Sequence, residues 1–302
     1  MLTEVEISEQ LEQTIKSPIR VGNLEALGID QAAFLAFFKP LFEDLTDDLY
    51  LIRQKQMTFL EAAFEASFNA INALHQPYFE GRIDLEALEP WINQLDANQK
   101  AEFDRLSVVT RQRNISTFVI DVRSEEPQVK RVVVDDFVQD VEDFRVWKRV
   151  FTQATPAAVE NAFFEAFLQK IALLVKSIHS EAQELKMTAH FMRTLSQENI
   201  PGENAPEGIH EDGAQYIVSA LVINRQNITG GESRVFEKPA CNNQELLYKK
   251  VLQPGEFVFQ ADTGEELTFG NDLWHNVSPI YPVDISQVGI RDIIGLDIDI
   301  VA

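Results

Sequence analysis

Cysteine is almost absent from this 302-residue chain, with Cys241 the only one. A disulfide within the chain is therefore excluded, and a thiolate zinc site lacks its ligands. Cys241 sits in the loop-like run Lys238-Pro239-Ala240-Cys241-Asn242-Asn243 and reads as structural or incidental. Basic residues are scarce too: 26 Lys and Arg stand against 48 Asp and Glu, a formal net charge of −22. Nucleic acids demand clustered cations that displace counterions, so none is expected as a partner. The same charge disfavours an anionic membrane surface. No apolar run is long enough to span a bilayer. The first residues, Met1-Leu2-Thr3-Glu4-Val5-Glu6, lack the basic stretch and apolar core of a signal peptide, so the expected location is the cytoplasm. Histidine is also rare, and five residues make the search for metal ligands short.

Hydrophobic residues make up 45% of the chain and charged ones 25%, enough for a sizeable core and too balanced for long disorder. Region 1–106 reads as helical. Phe34, Phe37, Phe38, Leu41, Phe42 and Leu45 recur at helix spacing, with Pro40 placed to break or kink the run. A second stripe, Leu60, Ala63, Phe64, Phe68, Ile71 and Leu74, is expected to end before Pro77. These stripes read as core packing; an uncovered Phe face would favour a homodimer. Region 107–302 reads as a strand-rich domain with one supporting helix over 156–183. Thr155 is its N-cap, Pro156 its first position, and Phe163, Phe164, Phe167, Ile171 and Leu174 share a face. Strands are expected at 116–122, 129–134, 216–223, 233–236, 256–259, 274–277 and 291–301, between turn signals such as Gly230-Gly231 and Pro254-Gly255. The fold class is α+β with a mainly β core, a sandwich or barrel.

Chemistry concentrates in Pro206-Glu207-Gly208-Ile209-His210-Glu211-Asp212-Gly213. On a strand, residues i and i+2 point the same way, so His210 and Asp212 offer an imidazole and a carboxylate to one point. Tyr216 shares that side if the strand stays regular; it then touches a co-substrate or fills the core. A third ligand must come from elsewhere. His75 and His179 end helices, where the helix dipole explains them. His275 lies in the short apolar run Leu273-Trp274-His275-Asn276-Val277, 65 residues beyond His210, which leaves room for several strands to return. Two histidines and one carboxylate leave three positions open on octahedral iron, the composition of the Fe(II) oxygenase triad.

Open positions call for a co-substrate. 2-Oxoglutarate chelates iron through its keto oxygen and C1 carboxylate, and its C5 carboxylate needs a cation. Arg291, sixteen residues past His275, shares a strand face with Ile293 and Gly295 and is the candidate. Taken alone, a salt bridge to Asp292 is the simpler reading of Arg291; beside the triad it is not. Two other readings stand: a cupin-like metal protein that uses no 2-oxoglutarate and needs no Arg291, and a non-enzymatic protein with a degenerate β half. The second should have lost at least one of His210, Asp212, His275 and Arg291.

With these residues in view, the sequence resembles the 2-oxoglutarate/Fe(II) dioxygenases that include bacterial isoleucine 4-hydroxylase and related free amino acid hydroxylases. The likeness runs from about His190 to Val301. It is carried by His190-Phe191-Met192-Arg193, the 206–213 run, Gly230-Gly231-Glu232-Ser233, Trp274-His275 with Ser278-Pro279-Ile280, and Arg291-Asp292. It implies a double-stranded β-helix (jelly roll), iron ligation by His210, Asp212 and His275, and a 2-oxoglutarate clamp at Arg291. It also implies O₂ as oxidant and hydroxylation of an unactivated C–H of a small molecule, foremost a free amino acid, with release of succinate and CO₂. Halogenating relatives carry a small residue in place of the carboxylate, so Asp212 favours hydroxylation, with desaturation or cyclisation as variants. Ser233 is a further candidate for the co-substrate, against the plainer reading of an exposed strand serine. His190, Arg193 and Glu207 are candidates to hold a substrate's carboxylate and amine, although Arg193 equally suits an acidic neighbour.

Overall fold

The computed structural model describes residues 13–14, 19–134, 136–138, 144–237, 245–263 and 273–302. Cys241 lies outside the described residues. The main layer is an antiparallel sheet of β1 (Gln13–Thr14), β2 (Arg20–Asn23), β3 (Arg111–Asp121), β4 (Gln128–Val132), β5 (Glu184–Ser196), β6 (Tyr216–Gln226), β10 (Glu256–Ala261) and β13 (Gly289–Ile300). Their spatial order is β1-β2-β10-β6-β13-β5-β3-β4. The facing layer is smaller. In it β8 (Ser233–Glu237) lies between β9 (Leu246–Lys250) and β11 (Leu273–Val277), and β7 (Ile228–Gly230) pairs with β12 (Ile280–Pro282). Strands adjacent in space but distant in sequence, such as β6 and β13, give the jelly-roll connectivity that the family resemblance implies, within the sandwich or barrel expected from the strand spacing.

Alternation along β5 explains how one sheet serves two purposes. Phe191 faces outward and meets Phe164 at 5.4 Å between ring centroids. His190 and Met192 face inward and line a cavity. Phe118 of β3 repeats the outward contact, at 5.5 Å from Phe164, while Arg111 and Arg113 point to the cavity.

The outer face is covered by α1 (Gln31–Phe38), α6 (Pro156–Val159) and α7 (Ala162–Ile178). The remaining helices are α2 (Leu49–Ala63), α3 (Phe68–Phe79), α4 (Glu89–Ile92) and α5 (Ala97–Leu106). Phe34, Phe38 and Phe42 are buried in the core that α7 shares with the sheet, which removes the uncovered Phe face on which a homodimer was argued. A separate cluster, centred on Met57, Leu60, Ile71 and Phe103, holds α2, α3 and α5 together.

Three expectations need correction. The supporting helix is not continuous over 156–183: Thr155 caps one turn, and Asn161, in extended backbone, caps α7 through its side chain and the Phe164 N–H at 2.9 Å. The helix of the second stripe does not end before Pro77, because Phe64 breaks it earlier and α3 runs on to Phe79. Burial of Phe79 and a 2.6 Å hydrogen bond from the Tyr78 hydroxyl to Gln56 hold that last turn despite the proline. Region 1–106 is also not wholly helical, since Arg20–Asn23 pairs with β10 in the main sheet. No described helix is long and apolar enough to cross a membrane.

Candidate active site

His210 and Asp212 are not on a regular strand. A single bridge pairs His210 with His275: each backbone N–H donates to the other's carbonyl, at 2.9 and 2.8 Å. That bridge brings two residues distant in sequence to a ring separation of 4.5 Å. Asp212 completes the group, its Oδ1 lying 3.5 Å from His210 Nε2 and its Oδ2 3.4 Å from His275 Nε2. The three donor atoms lie within 4.8 Å of one another. His210 Nδ1–H donates to the Gly208 carbonyl at 3.0 Å, which keeps the proton on that nitrogen and leaves Nε2 to face a metal.

Electrostatics prepare the same three groups. Burial, with His210 beside it, lowers the His275 imidazole to about 4, so it is neutral and able to coordinate at neutral pH. Burial opposes the charged form of His210, but the hydrogen bond and charge of Asp212 raise its pKa. Burial likewise pushes Asp212 up, yet His275, His210 and Arg145 together hold it well below the carboxylate range. A carboxylate that is ionised, half-buried and shared by two imidazoles suits a divalent cation.

Asp262 was not anticipated. It is fully buried after β10, and its Oδ2 accepts N–H bonds from Asp212, Gly213 and Ala214 at 2.8, 2.7 and 3.3 Å. Its Oδ1 lies 3.8 Å from His275 Nδ1. One carboxylate therefore fixes the loop that carries Asp212 and faces the outer nitrogen of His275. The two atoms are beyond hydrogen-bond distance here; an outer partner that closes such a gap sets the tautomer of a ligating histidine. Asp262→Asn sets an amide N–H₂ against that nitrogen. It is expected to weaken metal binding about 10–100-fold, with a shifted Co(II) visible spectrum, in a protein that remains folded. Unchanged affinity and spectrum would show that the backbone bonds alone matter. In the sequence, Asp262 precedes Thr263-Gly264 and looks like an ordinary turn residue.

Arg291 is 1% exposed and lines the metal cavity, which measures about 90 Å³. Its Nη1 donates to Asn204 Oδ1 at 3.0 Å, while Nε and Nη2 have no partner. Burial, and the Arg225 guanidinium close by, lower it to about 9. Asp292, the alternative partner, faces the other side of the sheet. There it accepts from Arg193 at 2.7 and 3.1 Å. Ser233 is buried rather than exposed, and its Oγ also lacks a partner. Gly231, at φ +68°, makes room: a Cβ there would lie 3.2 Å from Arg291 Cδ. Buried donors without acceptors are costly, and a carboxylate would satisfy those of Arg291; Ser233 is not among the residues that line the cavity. The residues present thus fit 2-oxoglutarate beside an iron held by His210, Asp212 and His275.

The other candidates divide. His190 lines the cavity, with Nε2 3.0 Å from Asp297 and Nδ1 unpartnered; Glu207 lines it too. Arg193 does not. Three residues after His190 on one strand, it emerges on the opposite face and pairs with Asp292 and with Glu43 at 2.9 Å. Tyr216 does not either. Its hydroxyl bonds His179 Nε2 at 2.8 Å and its ring stacks on Phe259 at 5.3 Å, because the segment from Asp212 to Tyr216 is not a regular strand. The cavity instead gathers four arginines that escaped notice: Arg111 and Arg113 on β3, and Arg145 and Arg149 on the segment crossing above. Asp48, fully buried, accepts from Arg111 Nε at 2.8 Å and lies 3.7 Å from Arg113. The i, i+2 spacing of Arg111 and Arg113 at the start of a strand was the available signal.

The sequence profile described as 2OG-Fe dioxygenase matches residues 90–297. Among solved structures, a bsmA homologue from Methylobium petroleophilum PM1 is similar over 99% of this chain and 93% of its own, at 17% identity and a TM-score of 0.63. IDO from Bacillus thuringiensis is similar over 100% of this chain and 97% of its own, at 14% identity and a TM-score of 0.61. At these identities the likeness establishes the fold, in keeping with the antiparallel two-layer architecture. No curated protein sequence matches the chain.

Proposed function

The chain belongs to the 2OG-Fe dioxygenases, and on that premise we propose that it hydroxylates a C–H bond of a free amino acid. Family membership closes the cupin-like and non-enzymatic readings. When bound, Fe(II) and 2-oxoglutarate supply the oxidising chemistry: O₂ and the keto acid are converted to succinate, CO₂ and one oxygen atom inserted into substrate C–H.

The chain's own residues bind, orient and exclude water. His210, Asp212 and His275 hold the metal, and Arg291 receives the distal carboxylate of 2-oxoglutarate. Val218, Val277, Ile293 and Leu296 give the cavity apolar walls that keep water from the reacting centre. Arg145 donates to the Glu211 carbonyl at 2.7 Å and sits 3.8 Å from Asp212, steadying the ligand loop.

The observation that carries the substrate reading is the charge pattern of the cavity. In a chain of net charge −22, guanidinium groups of Arg111, Arg113 and Arg149 gather on one wall, with Glu207 among them. A zwitterion matches both signs: carboxylate to arginine, ammonium to glutamate. This reassigns the role first given to Arg193.

The test is a screen of amino acids for substrate-dependent succinate, with ¹⁸O₂ and product mass. A product heavier by one labelled oxygen supports hydroxylation; one lighter by two hydrogens points to desaturation or ring formation instead. If no amino acid stimulates succinate formation in protein that binds Fe(II) and 2-oxoglutarate, the substrate reading is wrong. With a substrate in hand, Glu207→Gln is expected to raise its KM about 10–100-fold, the worth of one hydrogen bond to a charged group, and to leave the KM for 2-oxoglutarate unchanged.

A further inference from the structure

A second chamber adjoins the metal cavity. It measures about 460 Å³ against about 90 Å³, and Arg111, Arg149 and Glu207 line both. Its other walls are mostly apolar: Leu51, Phe59 and Ala62 from α2, Phe79 from α3, and Phe151. The charged residues are therefore a partition, with the metal on one side and an apolar space on the other. Arg111 is fixed in the partition by its bond to Asp48, and the Arg149 guanidinium lies 4.9 Å from the Phe137 ring centroid.

A free amino acid bound at this partition sends its side chain toward the metal, where the C–H must lie. It then leaves the larger chamber to water. Apolar walls reward a different occupant. An amino acid has three places to carry one. Substitution of the carboxylate removes the anion that Arg111 and Arg149 attract. The side chain is already committed to the metal. The nitrogen remains: an amide N–H still donates to Glu207, and its acyl group extends into the chamber. We propose that the protein also acts on amino acids bearing an apolar N-acyl group, with the carboxylate and amide at the partition and the acyl chain among Leu51, Phe59, Phe79 and Phe151. The reaction is the same C–H hydroxylation of the amino acid side chain. This inference rests on the amino acid reading above.

The test is calorimetric titration of the full chain, loaded with Mn(II) and 2-oxoglutarate so that binding is read without turnover. The probes are L-isoleucine, its N-acetyl, N-butanoyl and N-hexanoyl derivatives, and L-tryptophan. Affinity is expected to rise about fourfold per methylene along the acyl series, the transfer value for a buried CH₂. Thr58 and Ala62 line the chamber from exposed positions on α2, so a tryptophan there narrows it without disturbing the core. In Thr58→Trp and Ala62→Trp the dependence on chain length is expected to vanish, with 2-oxoglutarate binding reporting an intact site. Free isoleucine binding as tightly as its acyl derivatives would overturn the inference and leave the amino acid reading in place. L-Tryptophan binding more tightly than N-hexanoylisoleucine would assign the chamber to a side chain and overturn it as well. Binding by none of the probes would remove the amino acid reading, and the inference with it.

Discussion

Replacing Arg291 by methionine is expected to raise the dissociation constant for 2-oxoglutarate on the order of 10²–10³-fold while Fe(II) affinity changes by no more than about twofold. Arg291 is buried with two of its three nitrogens unpartnered, and burial beside Arg225 has already lowered its pKa to about 9. The free protein thus holds a cation without its counter-ion. A carboxylate arriving there gains two charge-assisted hydrogen bonds in a dry site, where they are strong. Methionine keeps the length and volume of the stem but offers no donor. Asn204, which accepts from Arg291, keeps Thr194 Oγ1 as a donor at 3.0 Å, so the substitution strands no acceptor. The metal-free variant should accordingly melt at the same or a higher temperature, since removing an unpaired buried charge is neutral or favourable. Loss of co-substrate affinity without loss of stability is the signature to look for. It is read by anaerobic titration of the visible band that Fe(II) and 2-oxoglutarate form together. Binding within threefold of the parent would move the clamp elsewhere, with Arg225 the next cation to test.

His275→Ala is expected to weaken Fe(II) binding by more than the roughly 10–100-fold that loss of an outer partner costs, because it deletes one of the three protein ligands themselves. It also removes one of the two imidazoles that hold Asp212 ionised. The parent protein should show a matching pH dependence. Binding requires both imidazoles neutral. His275 meets that condition above about pH 4, whereas Asp212 raises the pKa of His210 above its ordinary value. Metal affinity therefore falls as pH drops through the raised pKa of His210, losing about tenfold per pH unit for the one proton displaced. Fe(II) or Co(II) titrations between pH 5 and 8 check this. A flat profile would mean that His210 is not a ligand.

How much was legible in advance depends on the range over which each feature is encoded. The Phe stripe from Phe34 to Leu45, the break near Pro40 and the cap at Thr155 are local, set by helix periodicity and backbone chemistry within a few residues. The iron ligands were legible for a different reason: five histidines leave few combinations, and an H-x-D pair plus one distant histidine is a specific donor set. Arg193 and Tyr216 were misplaced because a strand's two faces differ only by register. Arg193 is an odd number of residues from His190, and the irregular backbone between Asp212 and Tyr216 ends any fixed alternation.

The sequence by itself determined the donor chemistry, two imidazoles, one carboxylate and a late arginine on an apolar strand, because residue type and short-range spacing carry that information. Only the tertiary structure decided what surrounds them. The His210–His275 bridge, Asp262 beneath both ligand segments, and Arg111, Arg113, Arg145 and Arg149 around one cavity are contacts between segments far apart in the chain. Such contacts depend on how the strands pair and how the two layers close. A single sequence records those pairings only through the whole fold, since each is fixed by the packing of every other.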